Sequence, residues 1–86
     1  GLVGRYKPEQ LPLDVDVQLV REALKLTVPG QPTYTLVAES PTRFRMAGPP
    51  GMPDGFFFEF DVTNGKATGA TLVQPAPQPS LKLKKQ

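Results

Sequence analysis

The chain has 86 residues, 38% of them hydrophobic and 21% charged, with 11 prolines and a net charge of +2. That length holds one domain with a thin core, is too apolar for a disordered chain, and contains no run near the ~20 apolar residues of a spanning helix. With neither cysteine nor histidine, it excludes disulfides, thiolate chemistry, cysteine-built zinc sites and the commonest general base.

The chain opens on Gly1-Leu2-Val3, without a methionine and without a signal peptide, which reads as a piece excised from something longer. Period-two alternation then dominates. Leu13, Val15, Val17 and Leu19 alternate with Asp14, Asp16 and Gln18, the pattern of a strand with one dry and one wet face. Leu24, Leu26 and Val28 repeat it around Lys25 and Thr27. Matching dry faces sets Leu19 opposite Leu24, Val17 opposite Leu26 and Val15 opposite Val28. The intervening stretch, Val20 to Ala23, holds no glycine or asparagine, so a four-residue type I loop is expected rather than a primed turn.

Pro29-Gly30-Gln31-Pro32 ends this hairpin, Tyr34 and Leu36 start a short strand, and Glu39-Ser40-Pro41 ends that strand. Phe44 and Met46 alternate with Arg43 and Arg45. Gly48 to Gly55 is a loop with no lysine and no phosphate-cradling glycine spacing. Phe56, Phe58, Phe60 and Val62 then form the densest apolar face, with Phe57, Glu59 and Asp61 on the other side. Face matching sets Met46 opposite Phe58 and Phe44 opposite Phe60, which aligns Arg45 with Glu59 and Arg43 with Asp61 on the wet face. Thr63-Asn64-Gly65 suits a three-residue hairpin loop with Gly65 left-handed. Gly69 marks a bulge, since Ala67 and Ala70 cannot both face inward on a regular strand. Phe58 is expected to be buried, opposite Met46 and near Ala70. Residues 1–74 form the meander domain. Residues 75–86, with Pro75, Pro77 and Pro79, form a proline-rich connection and a candidate last strand at Leu81 of the same domain.

The expected fold is all-β: an antiparallel meander of about seven to eight short strands curled into a small lipocalin-like barrel or half-barrel, which hides edges and apolar face together. Nothing in it points to catalysis. Ser40 and Ser80 sit beside prolines with no histidine to activate them. The pairs Asp14/Asp16 and Glu59/Asp61 read as solvated strand faces rather than a glycosidase dyad or calcium site. A mild basic excess without interleaved aromatics argues against nucleic acid. No cofactor or metal is expected. The residues most available to a ligand or partner are Phe57, Tyr34, Phe44, Arg43 and Arg45. Phe57, facing outward, suits a seam against a neighbouring domain.

Val3-Gly4-Arg5-Tyr6 leads in, and Leu24-Lys25-Leu26-Thr27-Val28-Pro29-Gly30-Gln31-Pro32 follows the first hairpin. Then come Tyr34-Thr35-Leu36, Glu39-Ser40-Pro41-Thr42-Arg43-Phe44, Phe58-Glu59-Phe60 and Asn64-Gly65-Lys66-Ala67-Thr68-Gly69. This order resembles the lipocalin-like C-terminal domain of unknown function that follows beta-lactamase-type serine hydrolases and some secreted bacterial peptidases. The resemblance implies a non-catalytic accessory domain attached to a hydrolase domain of the same chain, in an extracytoplasmic bacterial setting. The alternative is a module that holds a small apolar or sugar-like ligand inside the curled sheet, walled by Val15, Val17, Leu26, Leu36, Phe44, Phe58 and Phe60. Such large residues in so short a chain are expected to fill the interior.

Overall fold

A computed structural model describes residues 1–9, 12–51 and 53–86. Eight strands follow one another: β1 (Gly4–Pro8), β2 (Val15–Val20), β3 (Ala23–Thr27), β4 (Tyr34–Ala38), β5 (Arg43–Ala47), β6 (Phe57–Thr63), β7 (Lys66–Val73) and β8 (Leu81–Lys85). Each pairs antiparallel with the next, and β8 returns to pair with β1, with Tyr6 opposite Lys85 and Pro8 opposite Leu83. The result is a closed eight-stranded barrel with no helix among the described residues. Closure removes both sheet edges, which an 86-residue chain could not otherwise cover.

Alternation decides what faces inward. The buried set, including Tyr6, Val15, Val17, Leu26, Leu36 and Phe58, comes from alternate positions of every strand. The β2–β3 ladder has the expected register, with Leu19 opposite Leu24 and Val17 opposite Leu26, and it stops at Asp16 opposite Thr27, short of Val15 and Val28. Its turn is a correction. Val20 pairs directly with Ala23, and Arg21 and Glu22 both take positive φ, 50° and 67°. That is a two-residue primed turn made by residues that strain to adopt it. The twist of the flanking ladder overrides local preference here. The β6–β7 turn is likewise shorter than the expected three-residue loop: Thr63 pairs with Lys66, leaving Asn64 (φ 51°) and Gly65 (φ 77°) as the two-residue turn.

The β5–β6 register is also corrected. Phe44 lies opposite Phe58, Arg43 opposite Glu59 and Arg45 opposite Phe57, so the expected alignment is off by two. Such a shift keeps every side chain on its face, so face matching cannot distinguish the two alignments. Asp61 is left to pair with Lys82, 3.2 Å away. Phe58 is buried, but between Phe44 and Leu72 rather than Met46 and Ala70; Ala70 lies opposite Phe60. The bulge is present: Asp61 faces Gly69 and Val62 faces Ala67, so Thr68 is the extra residue, and Ala67, Gly69 and Ala70 are all buried. Ala70, the smallest side chain with a Cβ, lies opposite the Phe60 ring and leaves room for it. At Gly69 a Cβ would stand 2.6 Å from the Leu83 carbonyl oxygen, so β7 and β8 approach more closely than a side chain permits.

Candidate functional site

In a meander, alternate connections fall at the same end. Residues 21–22, 39–42 and 64–65 turn at one end; the β1–β2, β3–β4, β5–β6 and β7–β8 connections, as far as they are described, fall at the other. Of the 11 prolines only Pro41 lies at the end with the tight turns; the others close β1 or lie in the four long connections. The barrel therefore has a tightly turned end and a rim of long, proline-stiffened loops.

The interior divides the same way. Toward the tight end, Tyr6, Phe44, Phe58 and Phe60 meet edge to face, with ring centroids 5.1–5.8 Å apart. The Tyr6 hydroxyl donates to the Leu2 carbonyl at 2.7 Å, tying the lead-in segment to the core. Burial pushes the Tyr6 phenol up to about 12. Toward the loop rim this four-ring cluster ends and a cavity of about 300 Å³ opens. Phe58 lies at its inner boundary, Val15, Leu26, Met46 and Leu83 line it, and Leu13 and Pro53 from the loops form part of its mouth. The polar side chains in the lining are Gln31, Tyr34 and Gln74. The Tyr34 hydroxyl lies 3.4 Å from Gln31 Oε1, and Gln74 Nε2 donates to the Pro79 carbonyl at 2.9 Å. Among the described residues, no carboxylate, ammonium or guanidinium lines the cavity.

The expectation that large side chains fill the interior thus holds for one half only. Of the expected wall residues, Val15, Leu26 and Phe58 line the cavity, whereas Val17, Leu36, Phe44 and Phe60 pack the other half. Among the residues expected to face a ligand or partner, Tyr34 stands at the mouth and Phe44 is buried among rings, 8% exposed. Phe57, Arg43 and Arg45 share the outer wall. Val37, Arg45, Phe57 and Val73 form one cross-strand row over β4 to β7. Arg43 lies over the Phe57 ring at 4.0 Å and forms ion pairs with Glu59 and, at 3.5 Å, Glu39. Sequence reasoning missed Gln31, Gln74, Pro53 and Leu81 as lining residues. They lie in or beside the loops, where period-two alternation carries no signal; the alternation of long and short connections is the signal that points to them.

Each of the carboxylates Asp14, Asp16, Glu59 and Asp61 has a basic side chain within 4 Å, and of them Asp14, just ahead of β2, has a buried Oδ1 without a hydrogen-bond partner. Asp14 stands 3.8 Å from Lys7 and Asp16 3.5 Å from Arg5, Glu59 pairs with Arg43, and Asp61 with Lys82. No acidic cluster suited to a metal occurs among the described residues. Ser40 Oγ accepts from the Arg43 amide at 2.9 Å, so this serine shapes the β4–β5 turn. No helix of the described residues is long and apolar enough to cross a membrane. Fold and site together define a small closed meander barrel with an apolar cup at its loop-bearing end. A scan of family models finds no match to the chain, and searches of curated proteins and of solved structures find none.

Proposed function

We propose that the domain is a non-catalytic binding module that takes a small, largely apolar ligand into the cup. The observation that carries this reading is the cavity itself: about 300 Å³ of apolar-walled space at a barrel mouth, with Gln31 and Tyr34 on one side of its wall and Gln74 from the β7–β8 connection. That is the lower end of the ~300–1,000 Å³ typical of small-molecule sites, and eight-stranded barrels are about wide enough for one such ligand. A domain this small with rings to spare could have filled the space; Phe56, half-buried at the mouth, lines it instead. The test is a heteronuclear NMR titration with octan-1-ol. Saturable shifts at Val28, Tyr34 and Leu83, with a Kd of about 1 mM or tighter, are expected. Val28→Phe, which places a ring in the cavity, abolishes them while the urea midpoint stays near that of the parent. Shifts spread evenly over the outer wall would overturn the reading.

The outer wall favours a second reading: an accessory domain that packs on a hydrolase domain of the same chain through the row Val37, Arg45, Phe57 and Val73. Phe57 and Val73 are half-buried and Val37 exposed, three apolar side chains in a row that Arg45 interrupts. A gene that encodes this domain without a catalytic one overturns that reading.

A further inference from the structure

The lining of the cup also speaks to the charge of its ligand. Resting on the reading of the cup as a ligand site, we infer that it selects an uncharged amphiphile, a medium-chain alcohol or amide, and rejects the corresponding carboxylate.

Three observations carry this. First, among the described residues the lining contains no charged side chain, and its polar groups are two amides and a phenol. Second, alternation sends the charges of the surrounding strands to the outer face. Lys25 on β3 donates to Thr35 Oγ1 at 2.7 Å, Glu59 on β6 is held by Arg43, and Lys82 on β8 by Asp61. Arg45 is flanked by Val37 and Phe57 in the outer row. Among the described residues no cation is therefore placed to meet an anionic head inside the mouth, and a desolvated carboxylate without a partner is strongly disfavoured. A hydroxyl or primary amide can instead exchange hydrogen bonds with Gln31, Tyr34 and Gln74, which offer both donors and acceptors. Third, the volume of about 300 Å³ is roughly ten times water's share of the liquid, room for about eight to ten carbon atoms. The polar groups lie in the cup wall near the loops, and Phe58 lies toward the packed half. An amphiphile consequently enters tail first and leaves its head at the rim.

The experiment compares octan-1-ol, octanamide and octanoate by NMR titration of the full chain at pH 8. The alcohol and the amide bind to the cup residues, and octanoate binds at least tenfold more weakly. A Gln31→Lys variant, at an exposed loop position, supplies the missing cation at the rim. It shifts the preference between octanoate and octan-1-ol at least tenfold toward octanoate. Octanoate binding to the parent within tenfold of the alcohol overturns the selectivity while the cup remains a ligand site. If none of the three compounds shifts the cup residues, the ligand-site reading itself falls.

Discussion

Phe58 and Phe57 are chain neighbours with opposite situations. Phe58 is 1% exposed and meets both Tyr6 and Phe60 edge to face. Phe57 is half-buried on the outer wall under Arg43. Truncating Phe58 to alanine should cost about 3–5 kcal/mol through lost burial and the cavity left behind. In a domain with total stability on the order of 5 kcal/mol, the variant is then largely unfolded at room temperature. Phe57→Ser should cost about 1 kcal/mol, the worth of a cation–π contact and a partly covered ring. Paired urea melts measure both, and equal damage from the two would reverse the facing of β6. Tyr6 sets the alkaline limit of the fold. Its phenol is raised from 10.0 to about 12 by burial, so the folded state holds the proton more tightly than the unfolded chain. Stability from this group is fully present below pH 10 and is lost as the pH climbs toward 12, by about 2–3 kcal/mol in all. Tyr6→Phe should lose about 1 kcal/mol at pH 7 with its hydrogen bond to Leu2. Its pH–stability curve is then flatter than that of the parent between pH 10 and 12, as thermal melts across that range will register.

At the scale of elements, the two tight hairpins differ in how well their residues suit them. Asn64-Gly65 tolerates positive φ at both positions, whereas Arg21 and Glu22 adopt it at a cost of roughly 1–2 kcal/mol each. Replacing Arg21-Glu22 by Asn-Gly should therefore raise stability by about 1–2 kcal/mol, seen as a higher urea midpoint with an unchanged m-value. An unchanged midpoint would mean that the turn is not primed. The β7–β8 pair is constrained in the other sense. A methyl group at Gly69 meets the Leu83 backbone oxygen at 2.6 Å, and neither strand can yield without breaking the ladder that closes the barrel. Gly69→Ala should cost about 2 kcal/mol or more, and amide exchange should quicken first in β8.

For the whole molecule, the meander separates two ends with different tolerances. The long connections carry the cup and the tight turns carry the register. A Gly-Ser-Gly-Ser insertion after Gly51 should lower stability by less than about 1 kcal/mol, because loop entropy grows slowly with length. The same insertion between Asn64 and Gly65 replaces a primed turn and should cost about 1–2 kcal/mol more. A comparison of the two melting temperatures decides it, and equal losses would argue against this division of labour. Exposed ion pairs such as Arg5–Asp16 and Lys7–Asp14 should add little to either end, so high salt leaves the melts nearly unchanged.

Much of the barrel was legible in one dimension. The alternation of Val15, Val17, Leu26, Phe58 and Phe60 dictates which faces are dry, and the prolines and glycines between the runs dictate where the chain turns. The bulge followed from Ala67 and Ala70 needing the same face. The register of β5 on β6 was not legible, because a slip of two preserves both faces and still aligns an arginine with a carboxylate; only closure of the whole sheet decides between Met46 and Phe44 as the partner of Phe58. The turn at Arg21-Glu22 was hidden for a related reason, since the twist of a paired ladder outweighs the preference of two residues. The cup was hidden most completely. Alternation names inward positions but not how far along the axis each one sits. Only the tertiary structure gathers Tyr6, Phe44, Phe58 and Phe60 into one half and leaves the other open beneath Gln31, Tyr34 and Gln74, because filling a barrel depends on where side chains meet across it rather than on their order in the chain.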